Sequence, residues 1–212
     1  TIPTDGVIDP QEGTIEFWIN PNKVDGLGLW SLNGSKRLDM WLSSSNSSLC
    51  VFDETGWLDS RVPASSFTGV WRYIAYTWGA FGQKIYVDGE PKASTTRLIS
   101  SDNIGNLFYL GTYRGGYHSN AYIDDLRISS IARSDDEIAA AYASGEPLSV
   151  DPYTTYLMNF DNNLKSYYGL PPEQVWVPLG TFWSLDWDSP DDTLEATVTA
   201  RDRMELLRKG TY

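Results

Sequence analysis

Apolar and polar residues alternate in many short segments along the first 165 residues of the chain. In the clearest segment, Ile15, Phe17 and Ile19 share one side, and Glu16 and Trp18 share the other. An alternation of period two is typical of a β-strand with one buried side. Similar segments lie at residues 27–32, 38–42, 49–52, 71–78, 84–87, 107–110, 122–129 and 155–160. Short strands separated by Gly, Ser, Asn and Asp predict an all-β sandwich or barrel.

Two local signals predict a hairpin and a single helix. The dipeptide Asp88-Gly89 tolerates positive φ and joins two predicted strands by a tight turn. Ser134 and Glu137 form a capping box, in which each side chain can bond to the backbone of the other residue. Gly145 then supplies a stop. We therefore predict one short helix over residues 135–144.

The pattern changes after residue 168. Residues 169–172, Gly-Leu-Pro-Pro, are typical of a linker. A predicted strand, an acidic loop, a second strand and a helix follow at residues 175–183, 186–192, 195–199 and 201–209. A β-β-α segment of about forty residues without a disulfide or a metal rarely folds alone. We therefore divide the chain into a sandwich domain, residues 1–168, and a C-terminal segment of a neighbouring domain, residues 169–212.

Several motifs, taken in their order and spacing, resemble the laminin-G-like, concanavalin A-like jelly-roll lectin domains. They are Gly13–Pro21, Trp71–Tyr76, Lys84–Gly89, Leu110-Gly111, Ile123–Ser129, Ala132–Ser134 and Glu137-Ile138. The resemblance covers residues 1–165 and implies a two-sheet antiparallel jelly-roll sandwich with one short helix. It also implies glycan or protein binding at a loop end or a concave face, with calcium bound in some members.

The C-terminal segment resembles parts of bacteriophage tail and baseplate hub proteins. The motifs that carry this resemblance are Val177–Trp183, Ala200–Met204 and Leu206-Leu207. The resemblance implies a domain of a phage or prophage tail protein, made in the bacterial cytoplasm and acting in the virion or outside the cell. Its partners would be a glycan on a bacterial surface and other tail or baseplate subunits.

Charge and apolar content exclude several partners. The net charge of −12 and the pI of about 4.4 oppose binding to nucleic acid and to anionic membranes. No apolar stretch approaches the roughly 20 residues of a membrane helix, so we expect no membrane insertion. No signal-peptide pattern opens the chain, which we expect to be part of a longer protein. Cys50 is the only cysteine, which excludes an internal disulfide and favours a small core residue.

Catalytic chemistry finds no support in the residue pattern. Glycosidases of the fold resembled here usually show a Glu-x-Asp-x-x-Glu strand, and this spacing does not occur in the chain. Single strand acids such as Glu16 are expected to face solvent. His118 is the only histidine, so the usual sets of zinc ligands and of nucleophile with base are missing. We therefore expect that the protein is not an enzyme.

Asp124 is the acid that most invites a functional explanation. Strand alternation places it on one face with Tyr122, Leu126 and Ile128, and places Asp125 on the other. A carboxylate on an apolar face needs a partner. Asp124 could tie down a neighbouring loop through backbone N–H groups, or it could be a calcium ligand, because calcium takes carboxylate and carbonyl oxygens.

The loop before the strand 122–129 combines tyrosines with polar side chains. Sugars need flat apolar surfaces and a few directional polar groups, and both are concentrated here. The candidate ligand-binding residues are Tyr113, Arg114, Tyr117, His118 and Asn120, together with the loop aromatic Trp57. The alternative is that the loop tyrosines fold back on the sandwich and that Trp57 packs at its edge.

Three functions remain open from the sequence. The first is a non-catalytic carbohydrate-binding domain of the adhesin or receptor-binding kind. The second is a structural or protein-contact module of a tail assembly. The third, an atypical glycoside hydrolase, is disfavoured by the missing pair of carboxylates.

Overall fold

The computed structural model describes residues 1–24, 26–43, 48–113, 116 and 118–160, and the backbone of three later strands at 167–168, 183–188 and 197–201. The chain divides into two compact units, Thr1–Gln174 and Val175–Tyr212. Each unit is described by itself below.

The first unit is an antiparallel sandwich of two sheets with one α-helix, as predicted. Its elements are β1 Ile2–Pro3, β2 Gly13–Pro21, β3 Leu27–Leu32, β4 Leu38–Ser43, β5 Ser48–Phe52, β6 Trp57–Pro63, β7 Arg72–Gly79, β8 Gly82–Val87, β9 Glu90–Thr95, β10 Leu107–Leu110, β11 Ala121–Ser129, α1 Asp135–Ser144, β12 Thr154–Met158 and β13 Tyr167–Tyr168. One sheet has the order β1-β10-β3-β4-β5-β6, and the other has the order β13-β12-β11-β2-β7-β8-β9. Every neighbouring pair is antiparallel.

The core lies between the sheets, where the apolar sides of the alternating strands meet. Trp30 on β3 contacts Tyr76 on β7 across the two sheets, with ring centroids 5.4 Å apart, and also packs on Phe108 at 6.0 Å. All three rings are fully buried. Removing a buried aromatic ring of this kind costs about 3–5 kcal/mol, so these contacts hold the two sheets together.

The helix and the hairpin form as their signals predict. The Ser134 hydroxyl accepts a bond from the Glu137 N–H at 3.2 Å, and the Glu137 carboxylate accepts from the Ser134 N–H at 2.8 Å. Gly145 ends α1 with φ 63°. Between β8 and β9, Asp88 and Gly89 both have positive φ, 52° and 77°. This is the conformation that a two-residue hairpin turn requires.

The outer face of the seven-stranded sheet is covered, which makes the prediction for Glu16 wrong. Glu16 is fully buried rather than solvent-facing. Its carboxylate lies 2.7 Å from Arg127 Nε and 3.3 Å from Arg133 Nε. It also accepts a hydrogen bond from the Tyr73 hydroxyl, and burial together with the Glu16 charge raises the pKa of Tyr73. The face is covered because Ile138 of α1 packs against it.

A β-bulge in β11 also overturns the predicted face of Asp124. The register with β2 shifts between Asp124 and Arg127, and Asp125 has φ 50°. The extra residue reverses the alternation, so Leu126 and Ile128 enter the core while Asp124 pairs with Trp18 on the outer face. Asp124 therefore does not share the apolar face to which strict alternation assigns it.

The second unit contains one antiparallel pair, β14 Trp183–Asp188 with β15 Thr197–Arg201. The acidic loop predicted from residue 186 is wrong at its start, because residues 186–188 belong to β14. The linker at 169–172 and all but the first residue of the predicted helix 201–209 lie outside the described residues. The domain division at residue 168 stays a prediction. Among the described helices, none has the length and apolar character that crossing a membrane requires.

Candidate functional site

The outer face of the six-stranded sheet carries a row of aromatic side chains. Along β4, Leu38, Met40 and Leu42 enter the core, so Asp39 and Trp41 point outward. Asp39 pairs with Phe52 on β5, and Phe52 pairs with Trp57 on β6. The strand register therefore places outward residues of three adjacent strands side by side.

These residues and one loop residue form a continuous surface, here called the aromatic band, made of Trp41, Phe52, Trp57, Tyr113 and Arg37. Ring centroids are 4.9 Å apart between Trp57 and Phe52 and 4.9 Å apart between Tyr113 and Trp41. The Arg37 guanidinium carbon joins the two pairs, at 4.4 Å from the Phe52 centroid and 5.1 Å from the Tyr113 centroid. Cation–π contacts of this kind fix the guanidinium over the rings.

A close approach of backbones brings Tyr113 to the band. A Cβ on Gly28 would lie only 2.8 Å from the Tyr113 nitrogen, so a glycine is needed where the loop crosses β3. The Ser119 hydroxyl donates to the Gly28 carbonyl at 2.7 Å, and the Ser31 hydroxyl donates to the Thr112 carbonyl at 3.3 Å. The loop after β10 is thereby held over the sheet, with Tyr113 against Trp41.

The turn that precedes Trp57 is fixed by a buried carboxylate. Asp53 accepts hydrogen bonds from the Thr55 N–H at 3.1 Å, from Gln83 Nε2 at 2.8 Å and from Arg97 Nε at 2.8 Å. Burial opposes ionisation of Asp53, but the hydrogen bonds from Thr55, Arg97 and Gln83 outweigh it and lower the pKa of this carboxyl. The hairpin that presents Trp57 is therefore held in place by a charged network.

A buried carboxylate lies under the middle of the band. Asp39 is fully buried, and its Oδ2 accepts bonds from Arg37 Nη2 at 2.7 Å and from Trp41 Nε1 at 2.9 Å. Its Oδ1 and the Arg37 Nε have no hydrogen-bond partner among the described residues. A buried polar atom without a partner is costly and is uncommon in folded proteins. Both atoms are buried, so the polar group that this surface presents beside the flat rings is the 33% exposed Arg37 guanidinium, which Asp39 holds in place.

The structure brings together two of the residues predicted to bind a ligand. Tyr113 lies in the band, and so does Trp57, which is 46% exposed. Trp57 begins β6 instead of lying in a loop. Its ring is tilted by 51° against the ring of Phe52, so the contact covers only part of the indole.

The other predicted ligand-binding residues are placed differently. His118 is exposed and pairs with Thr112 in an isolated β-bridge. The Asn120 side chain accepts a bond from Asn22 Nδ2 at 2.8 Å and so ties the loop to the end of β2. Arg114 and Tyr117 lie outside the described residues. Trp41, Phe52, Arg37 and Asp39 were not predicted, although the outward position of Trp41 within the segment 38–42 was a usable signal.

The surroundings of Asp124 do not fit a calcium ion well. Calcium takes roughly six to eight oxygen ligands. Within the ranges that the structure describes, no group of three or more His, Cys, Asp or Glu side chains could hold a metal. Asp124 Oδ1 instead accepts a hydrogen bond from the Asp125 N–H at 2.9 Å, inside the bulge. Calcium binding by Asp124 stays a prediction.

Solved structures with this fold come from several kinds of protein. A candidate carbohydrate-binding protein from Bacteroides ovatus aligns with a TM-score of 0.56 and 20% identity, over 72% of this chain and 46% of that one. Domain 4 of an extracellular arabinanase from Geobacillus stearothermophilus, solved with arabinotriose, aligns with a TM-score of 0.51 and 20% identity, over 64% and 68%. A pentraxin from Limulus polyphemus aligns with a TM-score of 0.50 and 11% identity, over 76% and 83%.

These similarities show the fold alone, because all identities are low. The aligned region makes up less than half of the Bacteroides protein. No curated protein matched the sequence. Residues 1–139 match the Laminin_G_3 family model, described as the concanavalin A-like lectin/glucanases superfamily. This match spans more than half of the chain, and together with the two-sheet sandwich it shows that the chain belongs to the Laminin_G_3 family.

Proposed function

We propose that this domain binds carbohydrate, without catalysis, on the outer face of its six-stranded sheet. The observation that carries the proposal is the continuous aromatic band with the partly exposed Arg37 guanidinium at its centre. Sugar rings present C–H faces that pack on aromatic rings, and hydroxyl groups that need directional partners. The band supplies both kinds of contact on one surface.

Two proteins with the same fold support this proposal, because their descriptions mention carbohydrate. One was solved as a candidate carbohydrate-binding protein, and the other is an arabinanase domain in complex with arabinotriose. The acids beside the band support a non-catalytic role, because a glycosidase needs one carboxylic acid that protonates the leaving group and one carboxylate that acts as nucleophile or base. Asp39 is held in an ion pair with Arg37, and Asp59 accepts bonds from Ser48 and Arg61.

We also propose a setting for the domain, as part of a phage or prophage tail protein that recognises glycans on bacterial surfaces. The resemblance of motifs between residues 177 and 207 to tail and baseplate hub proteins supports this setting. The protein would act in the virion or outside the cell, beside other tail subunits. The alternative is a structural module within the tail, for which the band would be a protein contact.

The test is a glycan array probed with the whole chain, in the presence and in the absence of calcium. Affinity at an open site of this kind is about 10⁻³ to 10⁻⁵ M, so the protein is best presented in multivalent form. Trp57→Ala should remove most of the signal, while Trp71→Ala should leave it unchanged. Trp71 is a matched control, since it is 45% exposed and lies outside the band.

Thermal melts must show that both variants remain folded. Binding to no glycan, or equal loss in the two tryptophan variants, would reject the proposal. Release of new reducing ends from a bound oligosaccharide would reject its non-catalytic part.

A further inference from the structure

Resting on the proposed function, we infer that the site takes a neutral saccharide chain of at least two sugars, which runs across the strands from Trp57 to Trp41. The first argument is the length of the band. Trp57 lies on β6 and Trp41 on β4, and the pairs Trp41 with Cys50 and Cys50 with Asp59 show that the two tryptophans differ by two residues along the strands.

The distance between the two tryptophans follows from sheet geometry. Two strand spacings and two residues of rise place their Cα atoms about 12 Å apart. A single sugar ring cannot stack on both ends of a surface of this length. Consecutive sugars of a chain can do so, with Phe52, Arg37 and Tyr113 supporting the middle.

The shape of the surface also favours a chain. Trp57 is exposed and Trp41, Phe52 and Tyr113 are half-buried, with ring contacts in two pairs, Trp57 with Phe52 and Trp41 with Tyr113. An open surface covers only one face of each sugar, so one sugar gains little binding free energy. Several stacked sugars are needed for a measurable affinity, because each adds a small contribution.

The charges around the band oppose an acidic glycan. The positive charge of Arg37 is matched by Asp39 at 2.7 Å, and the backbone N–H of Arg37 is bonded to the Glu54 carboxylate at 3.0 Å. Asp59 adds a further exposed carboxylate on β6, two residues from Trp57. Among the described side chains of the band, the only cation is therefore already neutralised. On the band itself, a uronate or sialylated chain would meet no cation that lacks a carboxylate partner.

Arg37 provides the polar contact in the middle of the chain. Its side chain is 33% exposed, so a guanidinium N–H can donate to a sugar hydroxyl, either directly or through one water molecule. Asp39 is fully buried and holds the guanidinium in place through the bond from Arg37 Nη2 to its Oδ2. The hydroxyl contact would fix the position of the chain along the band.

The experiment measures binding of chain-length series by titration calorimetry or NMR. The probes are cello-, manno- and arabino-oligosaccharides from one to six sugars, with oligogalacturonides of the same lengths as the acidic comparison. In at least one neutral series, affinity should rise by about tenfold or more from one sugar to four, because each aromatic contact adds up to about 1.5 kcal/mol. The oligogalacturonides should bind more weakly than the neutral chains.

Variants locate the chain on the band. Trp57→Ala should weaken binding of the longest neutral chain by about tenfold but change binding of the disaccharide by less than about twofold, since a short ligand can remain at the Trp41 and Tyr113 end. Trp71→Ala should change neither affinity. A single sugar that binds as tightly as a hexasaccharide, or an acidic chain that binds more tightly than neutral ones, would overturn this inference and leave carbohydrate binding intact. Failure of every saccharide to bind would overturn both.

Discussion

The two outer faces of this sandwich use charged residues in opposite ways. On the seven-stranded sheet, Glu16 is enclosed between Arg127 and Arg133 beneath α1. On the six-stranded sheet, Asp39 is equally buried but keeps one oxygen without a partner among the described residues, and aromatic rings lie open around it. The carboxylate of Glu16 finds its ion-pair and hydrogen-bond partners within the protein. The carboxylate of Asp39 holds the partly exposed Arg37 among the rings, on the face that we propose binds the ligand.

The strongest way to test the contrast is to remove the enclosed charge. Glu16→Gln removes the ion-pair partner of the buried Arg127 and one of the three carboxylates beside Arg133, so the free energy of unfolding should fall by about 3 kcal/mol. Urea denaturation monitored by tryptophan fluorescence measures this change. The exposed acid Glu12 is the matched control, and Glu12→Gln should cost less than about 0.5 kcal/mol. Equal stability of the Glu16 variant and the wild type would show that the closed face is not held by this network.

A smaller effect should follow from a methyl group at Gly28, on the open face. Gly28→Ala would place Cβ 2.8 Å from the Tyr113 nitrogen, so the loop must move away from β3. We expect a loss of about 1–3 kcal/mol in stability, because inserted volume is poorly tolerated at a tight contact. Displacement of Tyr113 from Trp41 should also weaken glycan binding.

Gly56→Ala is the control for this prediction. A Cβ at Gly56 would meet only the Arg97 side chain at 3.7 Å, which is an ordinary contact. Denaturation and binding measured on both variants would show whether the position of the loop matters. If Gly28→Ala bound glycan as well as the wild type, the Tyr113 part of the band would not contribute to binding.

The smallest expected effect concerns pH and the hairpin that carries Trp57. The pKa of Asp53 is lowered in the folded protein, so its ionised form favours folding above the unfolded pKa of about 3.9. This contribution is lost as pH falls below that value and through the lower folded pKa. Asp53→Asn should therefore flatten part of the decline of stability below about pH 4.

The rest of that decline should persist in the Asp53 variant. Asp135, Glu137 and Asp151 also have lowered pKa values, from bonds with Lys84, Ser134 and Arg133 among others. Thermal melts between neutral pH and about pH 3 compare the two proteins. An unchanged pH profile would contradict the proposed role of the Asp53 network in folding.

Local patterns predicted the helix and most strands of the sandwich, but not β6 or β9, because alternation and capping depend only on neighbouring residues. The core positions of β2 and the limits of α1 are of this kind. The environment of Glu16 could not be predicted in the same way, since it depends on where α1 packs. The aromatic band required the register between β4, β5 and β6, which no single strand reveals. Asp124 was misplaced because one residue of the bulge reverses the alternation that the pattern assumes.

The β-bulge at Asp125 affects which insertions and deletions this domain can accept during evolution. The inward–outward alternation of side chains in β11 starts anew at the bulge. Ile123 before the bulge and Leu126 after it therefore both reach the core, although three positions separate them. The half of β11 before the bulge follows the loop that contains Tyr113, and the half after the bulge pairs with β12. A residue gained or lost in the loop could be absorbed at the bulge without shifting Leu126 or Ile128. Insertions and deletions can therefore remodel the loop that carries Tyr113 while the sandwich behind it stays in register.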